Sequence, residues 1–401
     1  MKSDDYSGEA DAKYLAKEIL LRLKLMFPGH EGVMPLHSPV FHERSEELVI
    51  DCIRSTFVSS VGSCVALFEE QVAKACDTEF CVSTVSGTAA LQVAMRVSGV
   101  ESGHESLMPS LTFVATPNAA SYLGAIPHFV DVDSQTLAMD PDVLRRHLMR
   151  CSTYRNGKLF NKKTNRQISS ILAVHVFGHP ADMSGLRKIA DEFELPLIED
   201  AAGALGSELE GRRVGSFGDL GILSFNGNKL ITTGGGGAIV TNSQDLADAA
   251  RHISTTAKRP HGWSFVHDQI GYNFRMPSLN AALGLSQIEN LDGLLTAKRK
   301  IAARYQEYFK NFDEVSILKQ PKNSNSNYWL NNIVLERFNE NACEEIIQEL
   351  NHMGINARPI WTPMHYLEIY RNSPKTSLSV TESIVKKIIS LPSSPYLSEY
   401  F

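Results

Sequence analysis

The sequence predicts an α/β protein, with a mostly parallel sheet in a large domain and a smaller C-terminal α+β domain behind it. Three observations predict this. From Phe80 onward, short apolar or β-branched runs alternate with helical stretches. After about residue 255 that rhythm gives way to one long helical segment and a smaller mixed region. The 401 residues, 43% hydrophobic and 21% charged, suffice for roughly two to three domains and a core that excludes water from a buried group.

The elements follow in order. Residues 1–30 read as an N-terminal helical extension, because Leu15, Ile19, Leu20, Leu23 and Met26 recur on one helix side and Pro28-Gly29 stops it. Such a helix packs either on a partner subunit or on its own chain. The large domain is placed at 31–255. Its strand-like runs are 80–85, 105–108, 127–132, 168–176, 196–198, 221–225 and 238–241. Helical stretches at 88–97, 141–150 and 184–193 lie between them, and Asp140-Pro141 supplies an N-cap followed by proline at the first helical position. The second domain is placed at 256–401, with a long helix over 278–312 and a polar surface loop at 322–327.

Composition excludes several functions. A net charge of −6 gives no electrostatic case for nucleic acid. No apolar run approaches the roughly 18 residues of a membrane helix, and Lys2, Asp4 and Asp5 do not resemble a signal peptide. The six cysteines form no C-x-x-C pair and no Cys/His group has zinc spacing, so no metal is expected. A soluble cytoplasmic protein with reduced thiols is expected.

Ligands of open α/β sheets bind beyond the carboxyl ends of the strands, so residues there matter most. Lys229 sits just past the run ending at Phe225, before Gly234-Gly235-Gly236-Gly237. Desolvation there lowers a lysine's pKa and makes a usable amine nucleophile. The same spacing fits a glycine-rich loop beside a solvent lysine. Asp200 ends another buried run, where a carboxylate can keep the pyridine nitrogen of pyridoxal phosphate (PLP) protonated, or simply cap a helix. Ser86-Gly87-Thr88 stands at a helix start, a seat for phosphate or an ordinary cap, and Ser224 can add a hydroxyl. Phe113 can stack on a flat ring or belong to the core. Asn273 and Arg275 offer an amide and a guanidinium, for an anion or for a surface ion pair. Each signal is weak alone, but together they meet the separate needs of one cofactor. A dinucleotide site is excluded, since four consecutive glycines leading into a strand are not G-x-G-x-x-G between strand and helix.

The runs 198–202, 215–219, 224–225, 228–229 and 234–237, with 57–60, 130–133, 175–178 and 358–361, resemble the DegT/StrS-type sugar aminotransferases. The resemblance covers the chain from about Leu36. It implies PLP fold type I: a mostly parallel seven-stranded sheet flanked by helices, with a small C-terminal domain. It implies that Lys229 is the Schiff-base lysine and Asp200 the pyridine-nitrogen partner. Gly87, Thr88 and Ser224 would cradle the phosphate and Phe113 would stack on the ring. Asn273 would reach the phosphate of the neighbouring subunit's cofactor, with Arg275 nearby, in a homodimer with shared sites. Gly203 departs from the glutamine or glutamate many members carry, which removes a hydrogen bond and opens space. Runs 57–60 and 226–237 most resemble the bacillosamine and legionaminic acid pathway aminotransferases, then perosamine-type enzymes. The implied donor is L-glutamate, and the cofactor cycles through pyridoxamine phosphate. The implied acceptor is a nucleotide-linked 4-keto-6-deoxy sugar, UDP-linked and N-acetylated, with a GDP-linked sugar the alternative. A non-catalytic PLP-binding regulatory protein is the rival. His37, Lys258, Arg259 and His365 are candidate contacts for the sugar nucleotide.

Overall fold

The computed structural model describes residues 9–336 and 342–401, so 1–8 of the N-terminal extension lie outside the described residues. Seven strands form the central sheet: β1 (Phe80–Thr84), β2 (Glu105–Pro109), β3 (Ile126–Val130), β4 (Ile168–Val174), β5 (Leu197–Asp200), β6 (Leu220–Ser224) and β7 (Gly237–Thr241). Their order across the sheet is β1-β7-β6-β5-β4-β2-β3. Only β7 runs antiparallel to its neighbours. Each apolar run read from the sequence supplies one strand, with ends shifted by a residue or two. β2, β4 and β5 are buried along their whole length. Helices cover both sheet faces, which is why these runs are continuously apolar rather than alternating.

The helix Gly87–Val97 follows β1 directly, and the Ser86 hydroxyl accepts from the Ala89 amide at its start. Asp140 caps Pro141–Cys151 by accepting from the Val143 amide at 3.0 Å. The helix Ala115–Tyr122 after β2 has no matching sequence signal, because its short polar composition lacks an apolar stripe. The segment 278–312 divides into Ser278–Glu289 and Leu291–Tyr308, with Asn290 capping both.

The small domain carries a four-stranded sheet of Val315–Ile317, Asn331–Leu335, Arg358–Pro359 and Ile388–Leu391. The N-terminal helix Glu9–Met26 packs on this domain of its own chain. Leu15, Ile19, Leu23 and Met26 join Tyr305, Ile346 and Leu350 in one buried cluster. Each such side chain contributes about 2 kcal/mol by leaving water. The expected surface loop at 322–327 is instead partly ordered. Ser324–Asn325 pairs with Glu208–Leu209, and Ser326 and Asn327 are buried. These polar residues tolerate burial because their side chains are bonded, Ser326 to the Gly178 carbonyl and Asn327 to the Gly203 and Leu205 carbonyls. Among the described residues, no helix is long and apolar enough to cross a membrane. All six cysteines are unpaired.

Candidate active site

The parallel strands deliver their carboxyl ends to one edge of the sheet, and β7 begins there. A cavity of about 350 Å³ opens at this edge. Ser86, Gly87 and Thr88 after β1, Thr112 and Phe113 after β2, and His175 after β4 line it. So do Asp200 at the end of β5, Ser224 at the end of β6 and Lys229 beyond it.

One wall is an anion seat. The first turn of the Gly87–Val97 helix brings unpaired amides and the positive end of the helix dipole. The hydroxyls of Thr88 and Ser224 belong to the same wall. A Cβ on Gly87 would lie 2.8 Å from the Ser224 Cβ, so only glycine lets this turn approach β6 so closely.

Asp200 is buried, and its carboxylate accepts from the Thr116 hydroxyl at 2.8 Å and the Ala202 amide at 3.2 Å. Burial pushes its carboxyl above the usual range, while the two hydrogen bonds and then the Lys229 and His175 charges pull it back. Lys229 stands on a loop closed at its base, where the Phe225 amide donates to the Gly236 carbonyl and the Thr233 amide to the Phe225 carbonyl. It is part-buried, walled by protein yet facing the cavity. Burial lowers its ammonium from 10.5 to about 8, against the pull of Asp200. In the protein alone, burial therefore outweighs the attraction of Asp200.

A second layer holds this edge. His175 accepts from the Ala181 amide at 3.0 Å and meets Glu199 at 3.2 Å. Glu199, fully buried, also accepts from the amides of Gly215 at 2.8 Å and Gly218 at 2.5 Å. Gly215 has φ +94°, a conformation glycine adopts without strain. The run 215–219 thus clasps the strand that presents Asp200. Both runs stand out in the sequence, but the link between them appears only in the fold.

Aromatic residues of both domains close the cavity. Phe113 is half-exposed, and its ring centroid lies 6.4 Å from that of Trp361. Trp361 stacks on Phe177 at 5.4 Å and faces Trp329 at 6.4 Å. The space that Gly203 was expected to open is not open. Trp329 fills it, and a Cβ on residue 203 would lie 2.6 Å from its Cε3.

The other candidates lie off this wall. Asn273 and Arg275 are exposed, held as an extended segment by bridges to Thr255 and Thr84. The Lys258 ammonium lies 4.1 Å from the centre of the Phe265 ring, and Arg259 pairs with Asp268 at 3.1 Å. His365 bonds Ser110 at 2.7 Å and Glu382 at 3.2 Å. His37 is buried with neither ring nitrogen partnered, and burial, then the Lys298 and Lys229 charges, hold its imidazole well below its usual pKa.

A buried carboxylate, a desolvated lysine, an anion seat at a helix start and flat aromatic walls fit the pyridine nitrogen, aldehyde, phosphate and ring of PLP. Asp200, Lys229, the 86–88 turn with Ser224, and Phe113 would hold those four parts. Fold and cavity together define a PLP-dependent aminotransferase. The chain belongs to the DegT/DnrJ/EryC1/StrS aminotransferase family, whose profile matches residues 39–400. It is 35% identical over 369 residues to GDP-perosamine synthase of Escherichia coli O157:H7, covering 91% of this chain and 94% of that one. It is 34% identical over 368 residues to the putative pyridoxal phosphate-dependent aminotransferase EpsN of Bacillus subtilis (strain 168), covering 91% and 92%. A crystal structure of a DegT DnrJ EryC1 StrS aminotransferase from Brucella abortus superposes with a TM-score of 0.80 at 29% identity, over 89% of this chain and 91% of that one.

Proposed function

We propose that this protein moves the amino group of L-glutamate to C4 of a nucleotide-linked 4-keto-6-deoxy sugar, in two half-reactions, for bacterial surface glycan biosynthesis. The observation that carries the reading is that Lys229 and Asp200 share one cavity with an anion seat. PLP supplies an electron sink and alternates between its pyridoxal and pyridoxamine forms. Asp200 would keep the ring nitrogen protonated. Lys229, whose ammonium is destabilised by burial in the protein alone, would take the proton from the α-carbon of glutamate. The helix start at Gly87, with Thr88 and Ser224, fixes the phosphate.

Two observations bear on the nucleotide. The resemblance of runs 57–60 and 226–237 to the bacillosamine and legionaminic acid pathway aminotransferases favours a UDP-linked N-acetylated sugar, while the likeness to a GDP-perosamine synthase favours a GDP-linked one. We place the protein in the cytoplasm as a homodimer. Ile53, Phe57, Val61 and Leu67 leave apolar surface exposed, and Trp263 and Ile270, in the segment leading to Asn273, are 86% and 91% exposed. These suit a second copy whose cofactor phosphate Asn273 and Arg275 would reach. Lys258, Arg259, His37 and His365 remain candidates for the sugar nucleotide only through movement or through that second copy.

The test is the absorption spectrum of the purified protein with PLP, before and after L-glutamate. A yellow band that glutamate bleaches supports the reading, and paired assays with UDP- and GDP-linked 4-keto sugars then separate the acceptors. A band indifferent to glutamate favours the regulatory rival. Lys229→Ala is expected to abolish transamination, and near wild-type turnover in that variant would refute the role of Lys229.

A further inference from the structure

The cavity holds one arrangement that this function does not by itself require. The Lys229 Nζ lies 3.6 Å from the centre of the Trp329 ring, inside the range of a cation–π contact. Trp329 comes from the small domain, just before the strand Asn331–Leu335. It is 6% exposed, and three hydrogen bonds fix it. Its indole N–H donates to the Asn228 carbonyl at 2.7 Å, next to the lysine itself. Its amide donates to the Asn327 side chain at 2.8 Å, and the same side chain donates to the Gly203 carbonyl at 3.0 Å. Its own carbonyl accepts from the buried Lys298 at 2.8 Å. Asn327 therefore fixes the spacing between the Gly203 backbone and the ring. At that spacing a Cβ on residue 203 would meet Cε3 at 2.6 Å and Cζ3 at 3.1 Å. The ring can lie under the lysine only because residue 203 has no side chain.

We propose that Trp329 is a positioning residue for Lys229: its ring, admitted by the bare Cα of Gly203, is the surface on which the ammonium rests whenever the lysine is not bonded to cofactor. This rests on the reading of Lys229 as the cofactor-bearing lysine. The seat has two consequences. It keeps the free amine beside the reacting centre in the half-reaction instead of letting the chain swing out. It also favours the charged form, so it acts with Asp200 against burial. The titratable groups around the lysine are Asp200 at the end of β5, His175 in the same cavity wall, and His37, which burial keeps neutral. None of them can take over the role of the ring.

The test uses the cofactor-free protein, so it does not depend on turnover. Brief labelling with an amine-reactive reagent across pH, read by mass spectrometry on the Lys229 peptide, gives the lysine's titration curve. Trp329→Leu removes the π face and keeps an apolar wall. Its Lys229 midpoint is expected to fall by about half a unit to one unit. Trp329→Phe, which keeps a face, is expected to restore most of that shift. Gly203→Ala pushes the ring aside and is expected to lower the midpoint likewise, with no further change when combined with Trp329→Leu. A midpoint in Trp329→Leu that is unmoved or raised, in protein whose melting and near-ultraviolet circular dichroism show it folded, overturns the proposal. If Trp329→Leu does not fold, the Trp329→Phe and Gly203→Ala curves decide it, and an unmoved midpoint in Gly203→Ala overturns it. Borohydride reduction of the wild-type protein with PLP runs alongside. Failure to fix cofactor on Lys229 refutes the functional reading, whereas fixation with an unmoved midpoint refutes only the seat.

Discussion

The lysine that the reaction needs should weaken the protein that carries it. Its ammonium falls from 10.5 in the open chain to about 8 in the cavity, chiefly through burial. That difference corresponds to at most about 3 kcal/mol, at 1.36 kcal/mol per unit. The sign follows from proton counts. Between about 8 and 10.5 the unfolded chain binds more protons than the folded one, so stability rises with pH across that window. Below about 8 the lysine is charged in both states and the folded protein bears the whole penalty. Above 10.5 it is neutral in both and the penalty is gone. Lys229→Met removes the charge and keeps most of the volume. Cofactor-free Lys229→Met is therefore expected to be more stable than wild type at pH 7, by up to about 3 kcal/mol, while having no activity. At pH 10 the lysine's contribution to the gap should shrink to below about 1 kcal/mol. Urea unfolding of both proteins at the two pH values measures it. Any apolar gain from methionine is common to both pH values, so the narrowing of the gap is the diagnostic. A gap that stays constant, or widens toward pH 10, would refute a depressed lysine.

Three further outcomes follow from the same geometry. Gly87→Ala pushes the helix start away from Ser224 of β6 at the anion seat and should weaken PLP binding by about tenfold or more in a fluorescence titration, with little change in secondary structure. Asp200→Asn keeps the bond from Thr116 and loses the charge, so stopped-flow spectra should show the glutamate half-reaction slowed by roughly 10²-fold or more. His365→Ala should lower thermal stability by about 1–2 kcal/mol through the lost Ser110 and Glu382 bonds and leave the KM for the sugar nucleotide unchanged. A raised KM would return His365 to the substrate contacts.

The residues that chemistry dictates were legible in the sequence because each announces itself locally. Asp200 and Lys229 follow apolar runs that had to be buried strands, and Ser86-Gly87-Thr88 follows another just before a helical stripe. The sheet then brings those ends together without further information. What the sequence leaves unread comes from across the chain. Glu199 is adjacent to Asp200, yet its role appears only when the loop carrying Gly215 and Gly218 folds onto it. Residues 322–327 look like a solvated loop by composition, because hydrophilicity does not say whether a polar side chain finds a partner indoors. Gly87 and Gly203 show the limit most sharply. Each is visible as a missing side chain, and each marks a close approach, but neither says what approaches. At Gly87 the neighbour is Ser224, whose position at the end of a strand already points to the same edge of the sheet. At Gly203 it is Trp329, supplied by the other domain and invisible to any pattern near Lys229. A glycine in the wall of a site therefore signals not a vacancy but a close approach, and what approaches depends on the fold.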